Sequence, residues 1–298
     1  MKRPPPVHAL SPISRLLPIA ALATIATGIV ALLGAAVIAA AAPHLTFVEF
    51  QQDGVGPIDG LDAAISVTVS PDGKSLYAAG FNDSAVAVFS RNSTTGALTF
   101  VEFHKDGVGP VDGLNRVRSV TVSPDGKNLY AAGQIDNAIA VFSRNSTTGA
   151  LTFLEFLKDG VGPVDGLASA VSVAVSPDGN NVYAAGLNDD AVAVFDRNST
   201  TGSLSYAEIQ KNSVGPVGGL NGIFSVAVSP DGKHVYTASE DDDAVAVFDR
   251  NSTTGALTFV EFHKDGVGAV DGLDGARQVT VSPDGNSVYA AGIVDDAV

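Results

Sequence analysis

The sequence predicts an all-β fold, a β-propeller built from four-stranded blades. Three observations carry the prediction. The tetrapeptide Ser70-Pro71-Asp72-Gly73 returns at Ser123, Ser176, Ser229 and Ser282, each time 53 residues on with no insertion or deletion. Each unit holds four short runs of alternating apolar and small or polar residues, separated by turn chemistry. No helical period interrupts them. A fixed period of this size with four strands per unit is the pattern of stacked blades.

The elements of one unit run from Leu98 to Ala150. Leu98–Phe103 alternates as a strand. His104–Asn115 is a Gly-rich loop. Arg118–Ser123 is the next strand, and its Ser-Pro-Asp-Gly end makes the turn. Pro presets φ, Asp bonds its own backbone and Gly supplies positive φ, so the Asp residues of this tetrapeptide are expected as turn formers. Asn128–Ala132 is a third strand, Gln134–Asn137 turns the chain, and Ala138–Phe142 is the fourth run. Arg144–Gly149 turns it again, and the Asn-Ser-Thr sequons at Asn92, Asn145, Asn198 and Asn251 are expected as turns of this kind. Blades are thus expected over Ile65–Phe103, Arg118–Phe156, Val171–Ile209 and Phe224–Phe262, with a fifth starting at Arg277. Leu45–Phe50 is expected as an orphan outer strand, and the chain reads as truncated within the fifth blade. A lone blade cannot bury both faces, so Val120, Val122, Leu129, Tyr130, Ile139, Val141 and Phe142 are expected between neighbours. The tyrosines at 77, 130, 183, 236 and 289 are expected there too, each with a satisfied hydroxyl.

Composition narrows the function classes. The 298 residues are 45% apolar and 16% charged, enough for a sizeable core. With no cysteine, a disulfide framework and a thiol nucleophile are excluded. The leader holds Lys2, Arg3 and Arg15 and no acid, which leaves 14 Lys and Arg against 32 Asp and Glu, a net −18, for the remainder. Such a surface is expected to repel nucleic acid and anionic lipid and to attract cations.

Residues 1–44 differ in kind. A basic start is followed by 27 uncharged residues, Leu16–Ala42, long for a cleaved signal and long enough to span a bilayer. Ala39-Ala40-Ala41 offers a cleavage site. Residues 1–44 are therefore expected as a signal peptide or an N-terminal membrane anchor, with 45–298 as the exported propeller: periplasmic, at the cell surface or secreted. Contact with membrane is expected only through that leader.

The unit Ser-Val-Ala-Val-Ser-Pro-Asp-Gly-Lys-His-Val-Tyr, followed by Asp-Asp-Ala-Val-Ala-Val-Phe-Asp-Arg and Thr-Thr-Gly-Ala-Leu-Thr-Phe, resembles the seven-bladed β-propeller lactonase family. That family includes 6-phosphogluconolactonase-like proteins and YVTN-type surface propellers. The resemblance covers Leu45–Val298 and implies the fold, with His, Arg and Glu side chains around the channel mouth.

Two sets of residues are candidates for chemistry. The first is where the repeats differ. Arg118 and Arg277 share a repeat position, and His104 and His263 belong to the same two repeats. Glu240 is a unique acid in its turn. Under the resemblance, His would serve as general base and Arg would hold the lactone oxygen as charge develops. The second set is the turn aspartates Asp83, Asp136, Asp189, Asp242 and Asp295, with the loop pairs Asp53/Asp59, Asp106/Asp112, Asp159/Asp165 and Asp265/Asp271. A ring of such carboxylates with loop carbonyls suits Ca²⁺; Asx turns on a solvated acidic face are the other reading. The fourth copy has Asn212 and Gly218 instead. Uniform blades favour a scaffold that binds a small-molecule or surface ligand. Lactone hydrolysis is the alternative.

Overall fold

The computed structural model describes Thr46–Val298. The export segment expected over 1–44 and Leu45 lie outside the described residues. Four antiparallel sheets follow one another along the chain: β1 (Ala64–Val69), β2 (Ser75–Gly80), β3 (Ala85–Arg91) and β4 (Leu98–Lys105); β5 (Val117–Val122), β6 (Asn128–Gly133), β7 (Ala138–Arg144) and β8 (Leu151–Lys158); β9 (Ala170–Val175), β10 (Asn181–Gly186), β11 (Ala191–Arg197) and β12 (Leu204–Lys211); β13 (Ile223–Val228), β14 (His234–Ser239), β15 (Ala244–Arg250) and β16 (Leu257–Lys264). A fifth sheet holds β17 (Ala276–Val281) and β18 (Val288–Gly292). Among the described residues no helix is long and apolar enough to cross a membrane.

Thr46–Phe50 differs from the expected strand. It is exposed and carries no ladder, because among the described residues no third strand lies beside it as β3 lies beside β4. Its place is nonetheless marked: Glu49 Oε1 accepts the Leu98 N–H at 2.5 Å. This copies Glu102 with Leu151 N–H at 2.7 Å, Glu155 with Leu204 N–H at 2.9 Å and Glu208 with Leu257 N–H at 2.7 Å.

The first strand of each sheet lies against the first strand of the next, β1–β5–β9–β13–β17. Apolar side chains fill each seam. Between the first two sheets, Tyr77, Val86 and Val88 meet Val120, Leu129 and Phe142, all buried. The outward faces at the two ends stay open: Val67 is 67% exposed and Tyr289 51%, whereas Tyr77, Tyr130 and Tyr183 are fully buried. The sheets therefore form an open arc.

Each seam is also fastened by polar groups, and here the structure adds a role that the turn reading of Asp72 lacks. Ser70 Oγ donates to Asp72 at 2.6 Å, as the turn requires. The same carboxylate accepts Arg144 Nη2 from the next sheet at 3.0 Å. Arg144 Nε donates to the Tyr77 hydroxyl at 2.6 Å, Arg144 Nη1 donates to Gly126 O at 2.9 Å, and the Tyr77 hydroxyl donates to Gly149 O at 2.8 Å. Arg197 repeats the lock on Tyr130 and Asp125, and Arg250 repeats it on Tyr183 and Asp178. Burial pushes the Asp72 carboxyl up, but Ser70, the Lys74 N–H and Arg144 outweigh it and hold the group at about 2. Burial pushes the Tyr130 and Tyr183 phenols up to about 12, so their hydroxyls stay neutral donors. The sequon turns provide the acceptors. Asn198 Oδ1 accepts the Thr200 and Thr201 N–H groups, which closes the turn. Gly202 sits at φ +85°, where a Cβ would overlap the Asn128 amide.

Candidate functional site

The innermost strands are not regular. In each of them one residue is left out of the pairing with its neighbour: Ile65, Arg118, Val171, Phe224 and Arg277. An extra residue of this kind bends the strand and re-aims its side chain. All five side chains line one chamber of about 280 Å³ at the centre of the arc, together with Phe81 and the serines at 66, 119 and 172. Those serines belong to the wall: Ser66, Ser119, Ser172 and Ser225 each accept a backbone N–H from the next sheet's inner strand at 3.2–3.3 Å.

A second position leads to the same place. The residue after each second strand is Phe81, Gln134, Leu187, Glu240 and Ile293, a different side chain in every repeat. Gln134 Oε1 accepts Arg118 Nε at 2.9 Å. Glu240 takes Arg277 in a two-pronged pair at 2.6 and 2.8 Å. Phe81 lies under two guanidiniums, Arg116 at 4.9 Å and Arg118 at 5.1 Å from its ring centre. Phe224 lies under Arg118 at 5.0 Å and Arg277 at 4.8 Å. Each such contact contributes about 0.5–2 kcal/mol, depending on desolvation.

The local charge runs against the rest of the molecule. Three arginines and one glutamate gather here in a chain whose remainder is strongly acidic. Burial lowers the Arg118 pKa, the Arg277 charge lowers it further, and Glu240 opposes both. The Glu240 hydrogen bonds raise that of Arg277. Both side chains keep their positive charge at neutral pH.

The structure thus brings Arg118, Arg277 and Glu240 together and leaves His104 and His263 apart from them. His104 is on β4, the outermost strand of its sheet, against Phe142 (ring centres 5.4 Å apart) and Glu102 (3.1 Å). It lines an apolar groove between neighbouring outer strands with Leu151 and Phe153. His263 is exposed on β16 beside Glu261 at 3.3 Å. At the same repeat position Gln210 bonds the Leu257 carbonyl at 3.1 Å, so this is a seam position. Sequence reasoning missed Phe81, Gln134 and Arg116. For Phe81 and Gln134 the readable sign is disagreement between repeats at the residue after each second strand, the position that Glu240 also occupies.

The aspartates gather differently from a ring. Asp53, Asp59 and Asp83 form one cluster, with carboxylate oxygens all within 4.8 Å of one another. Asp106/Asp112/Asp136, Asp159/Asp165/Asp189 and Asp265/Asp271/Asp295 form three more. Each cluster closes the Gly-rich loop of its own repeat. Asp106 accepts Leu114 N–H at 3.0 Å, Asp112 accepts Gly113 N–H at 2.8 Å and Asp136 accepts Asn115 N–H at 2.8 Å. Burial raises the Asp106 and Asp159 carboxyls, and the neighbouring aspartates raise them further. Among the described residues Asp242 has no such companions; there Asn212 accepts Leu220 N–H at 3.3 Å, the same closure without charge.

The profile described as "Lactonase, 7-bladed beta-propeller" matches residues 46–165, 158–264 and 222–298. A 6-phosphogluconolactonase of Formosa agariphila is 37% identical over 87 residues, which are 28% of this chain and 23% of that protein. The periplasmic gluconolactonase PpgL of Pseudomonas aeruginosa superposes with a TM-score of 0.60 at 23% identity, over 78% of this chain and 63% of that one. A protein from Lactobacillus plantarum gives 0.62 at 20% identity, over 77% and 64%. The matched regions thus span less than two thirds of each of these relatives.

Proposed function

Because this chain belongs to the seven-bladed β-propeller lactonase family, we propose that it binds a small anionic lactone in the central chamber and hydrolyses it. The observation that carries this reading is that the bulge position of every inner strand, which differs from repeat to repeat, faces one chamber. The scaffold repeats nearly unchanged, while the residues facing the chamber are Ile, Arg, Val, Phe and Arg. A scaffold serving avidity alone would repeat its contact residues as well.

In this reading water adds to the lactone carbonyl carbon, the ring C–O bond breaks, and the ring oxygen takes a proton to become a hydroxyl. The products are a carboxylate and one released proton. Arg277, oriented by Glu240 on both of its prongs, stabilises the oxyanion of the addition step. Glu240 is the carboxylate in contact with the chamber lining and accepts the proton of the attacking water. Arg118 attracts the anionic ligand. The apolar walls of Val171, Phe81 and Phe224 keep the polar groups partly dry, where their charges act more strongly.

The test is proton release in a pH-stat by the full chain on a lactone panel that includes 6-phosphogluconolactone. Turnover above the spontaneous rate that falls about 10²-fold in Arg277→Ala supports the reading. Equal rates with and without folded protein across the panel overturn it. The basic, uncharged leader motivates export of the propeller, which fractionation with an antibody to residues of the propeller would check. Calcium is a second, separate reading for the four aspartate clusters, favoured by the 4.8 Å convergence of three carboxylates in each.

A further inference from the structure

Arg116 has no assigned task, and its setting is unusual. It sits at φ +56°, in the left-handed region, where a side-chain-bearing residue is held only if its surroundings demand it. The strain itself belongs to the scaffold, because Ala63 at φ 53° and Ser169 at φ 57° share it, and Gly222 and Gly275 occupy the last two copies. What is particular to the second repeat is a long cationic side chain where the other copies are small. The backbone is fixed by Arg116 N–H donating to Ser84 Oγ at 3.0 Å. The guanidinium is held by Asn82 Oδ1 and by the Phe81 ring.

Arg118 stands over the same ring. Among the described residues neither arginine is paired with a carboxylate, whereas Arg144, Arg197, Arg250 and Arg277 each are. Two unneutralised guanidiniums thus share one aromatic platform at the rim. Arg277, with its charge met by Glu240, stands over Phe224 instead. Arg118 also covers Phe224, at 5.0 Å, so it links the Arg277–Glu240 pair to the Phe81 platform, and Arg116 is the guanidinium that stands on Phe81 alone.

Resting on the lactone reading above, we infer that Arg116 and Arg118 on Phe81 form a subsite for a second anionic group of the ligand, phosphate or carboxylate, remote from the ring ester. Arg116 is then a specificity-determining residue. Planar guanidiniums with free N–H donors match the oxygens of either group.

The test is calorimetric binding of product acids to the full chain: 6-phosphogluconate, glucarate and gluconate. The repeat itself supplies a substitution that its backbone tolerates, because Ser169 holds the same φ. Wild type is expected to bind 6-phosphogluconate or glucarate, the two acids with a second anionic group, about tenfold or more tightly than gluconate, the scale of a charged hydrogen bond. Which of the two binds tighter separates phosphate from carboxylate. Arg116→Ser, still folded by circular dichroism though without the contact to Phe81, is expected to remove most of that preference by weakening the second-anion acids far more than gluconate, and Arg116→Lys to restore part of it. Equal affinity for all three acids in wild type, or an undiminished preference in Arg116→Ser, would overturn the subsite. Binding that depends on Arg116 without any lactone turnover would sink the hydrolase reading and leave the subsite standing. Turnover without a preference for a second anionic group would do the reverse.

Discussion

Arg118 and Arg277 reach the chamber because each is the extra residue of a bulged inner strand, so the backbone irregularity and the chemistry share a cause. His104 and His263 show the converse. They differ between repeats just as the arginines do, but they stand on outer strands, where a side chain packs against the next sheet. Difference between copies was legible in the sequence; the direction of a side chain was not, because it depends on which residue the bulge displaces. His104→Leu, the residue found at position 157, is therefore expected to change kcat/KM less than about twofold, about 0.4 kcal/mol in the barrier. Glu240→Gln is expected to lower kcat by about 10²-fold or more with little change in KM, since it removes both the proton acceptor and the charge that orients Arg277. Steady-state kinetics on the best lactone of the panel decide both.

At the scale of the element, the strands were readable almost to the residue, because alternation and the Ser-Pro-Asp-Gly turn agree in every copy. The seams were not. Asp125 reads as a turn former from its neighbours, and only the fold brings Arg197 to it from the next sheet, 72 residues away. Tyr130→Phe deletes the hydroxyl that donates to Gly202 O and accepts from Arg197. It is expected to cost about 1–3 kcal/mol, read by urea unfolding. The lock also sets a pH dependence. The Asp72 carboxyl is held at about 2 in the fold against an ordinary 3.8, so its contribution is complete above pH 3.8 and is lost as pH falls toward 2. Asp72→Asn should therefore be less stable than wild type at pH 6, with the gap closing over that acid window; a gap that persists unchanged at pH 2 would exclude this ion pair as its origin. The aspartate clusters act in the opposite direction. Asp106 and Asp159 are raised, so their burial favours the protonated form and opposes folding increasingly as pH rises above the ordinary 3.8, and fully once pH exceeds the raised value. A bound Ca²⁺ would cancel that repulsion. Millimolar CaCl₂ is accordingly expected to raise Tm by several degrees at pH 7, and less so in Asp136→Asn, whereas identical melting curves with CaCl₂ and with the chelator would leave the clusters as loop closures alone.

At the scale of the whole molecule, the strongly acidic, near-uniform sheets of residues 47–298 carry a cationic and aromatic chamber where their inner strands meet. The repeat explains the frame, and the departures from it explain the site. The most direct test is calorimetric titration of 6-phosphogluconate and gluconate into the wild-type full chain and into Arg118→Val/Arg277→Val, with His104→Leu/His263→Gln as the control pair. Valine at 171 already occupies the bulge position, so the first variant is expected to fold. Binding is expected to be lost in the arginine pair, by at least about tenfold in Kd, and kept in the histidine pair. Binding that survives in the arginine variant, or that fails in the histidine variant while it remains folded, would contradict the placement of the site in the central chamber.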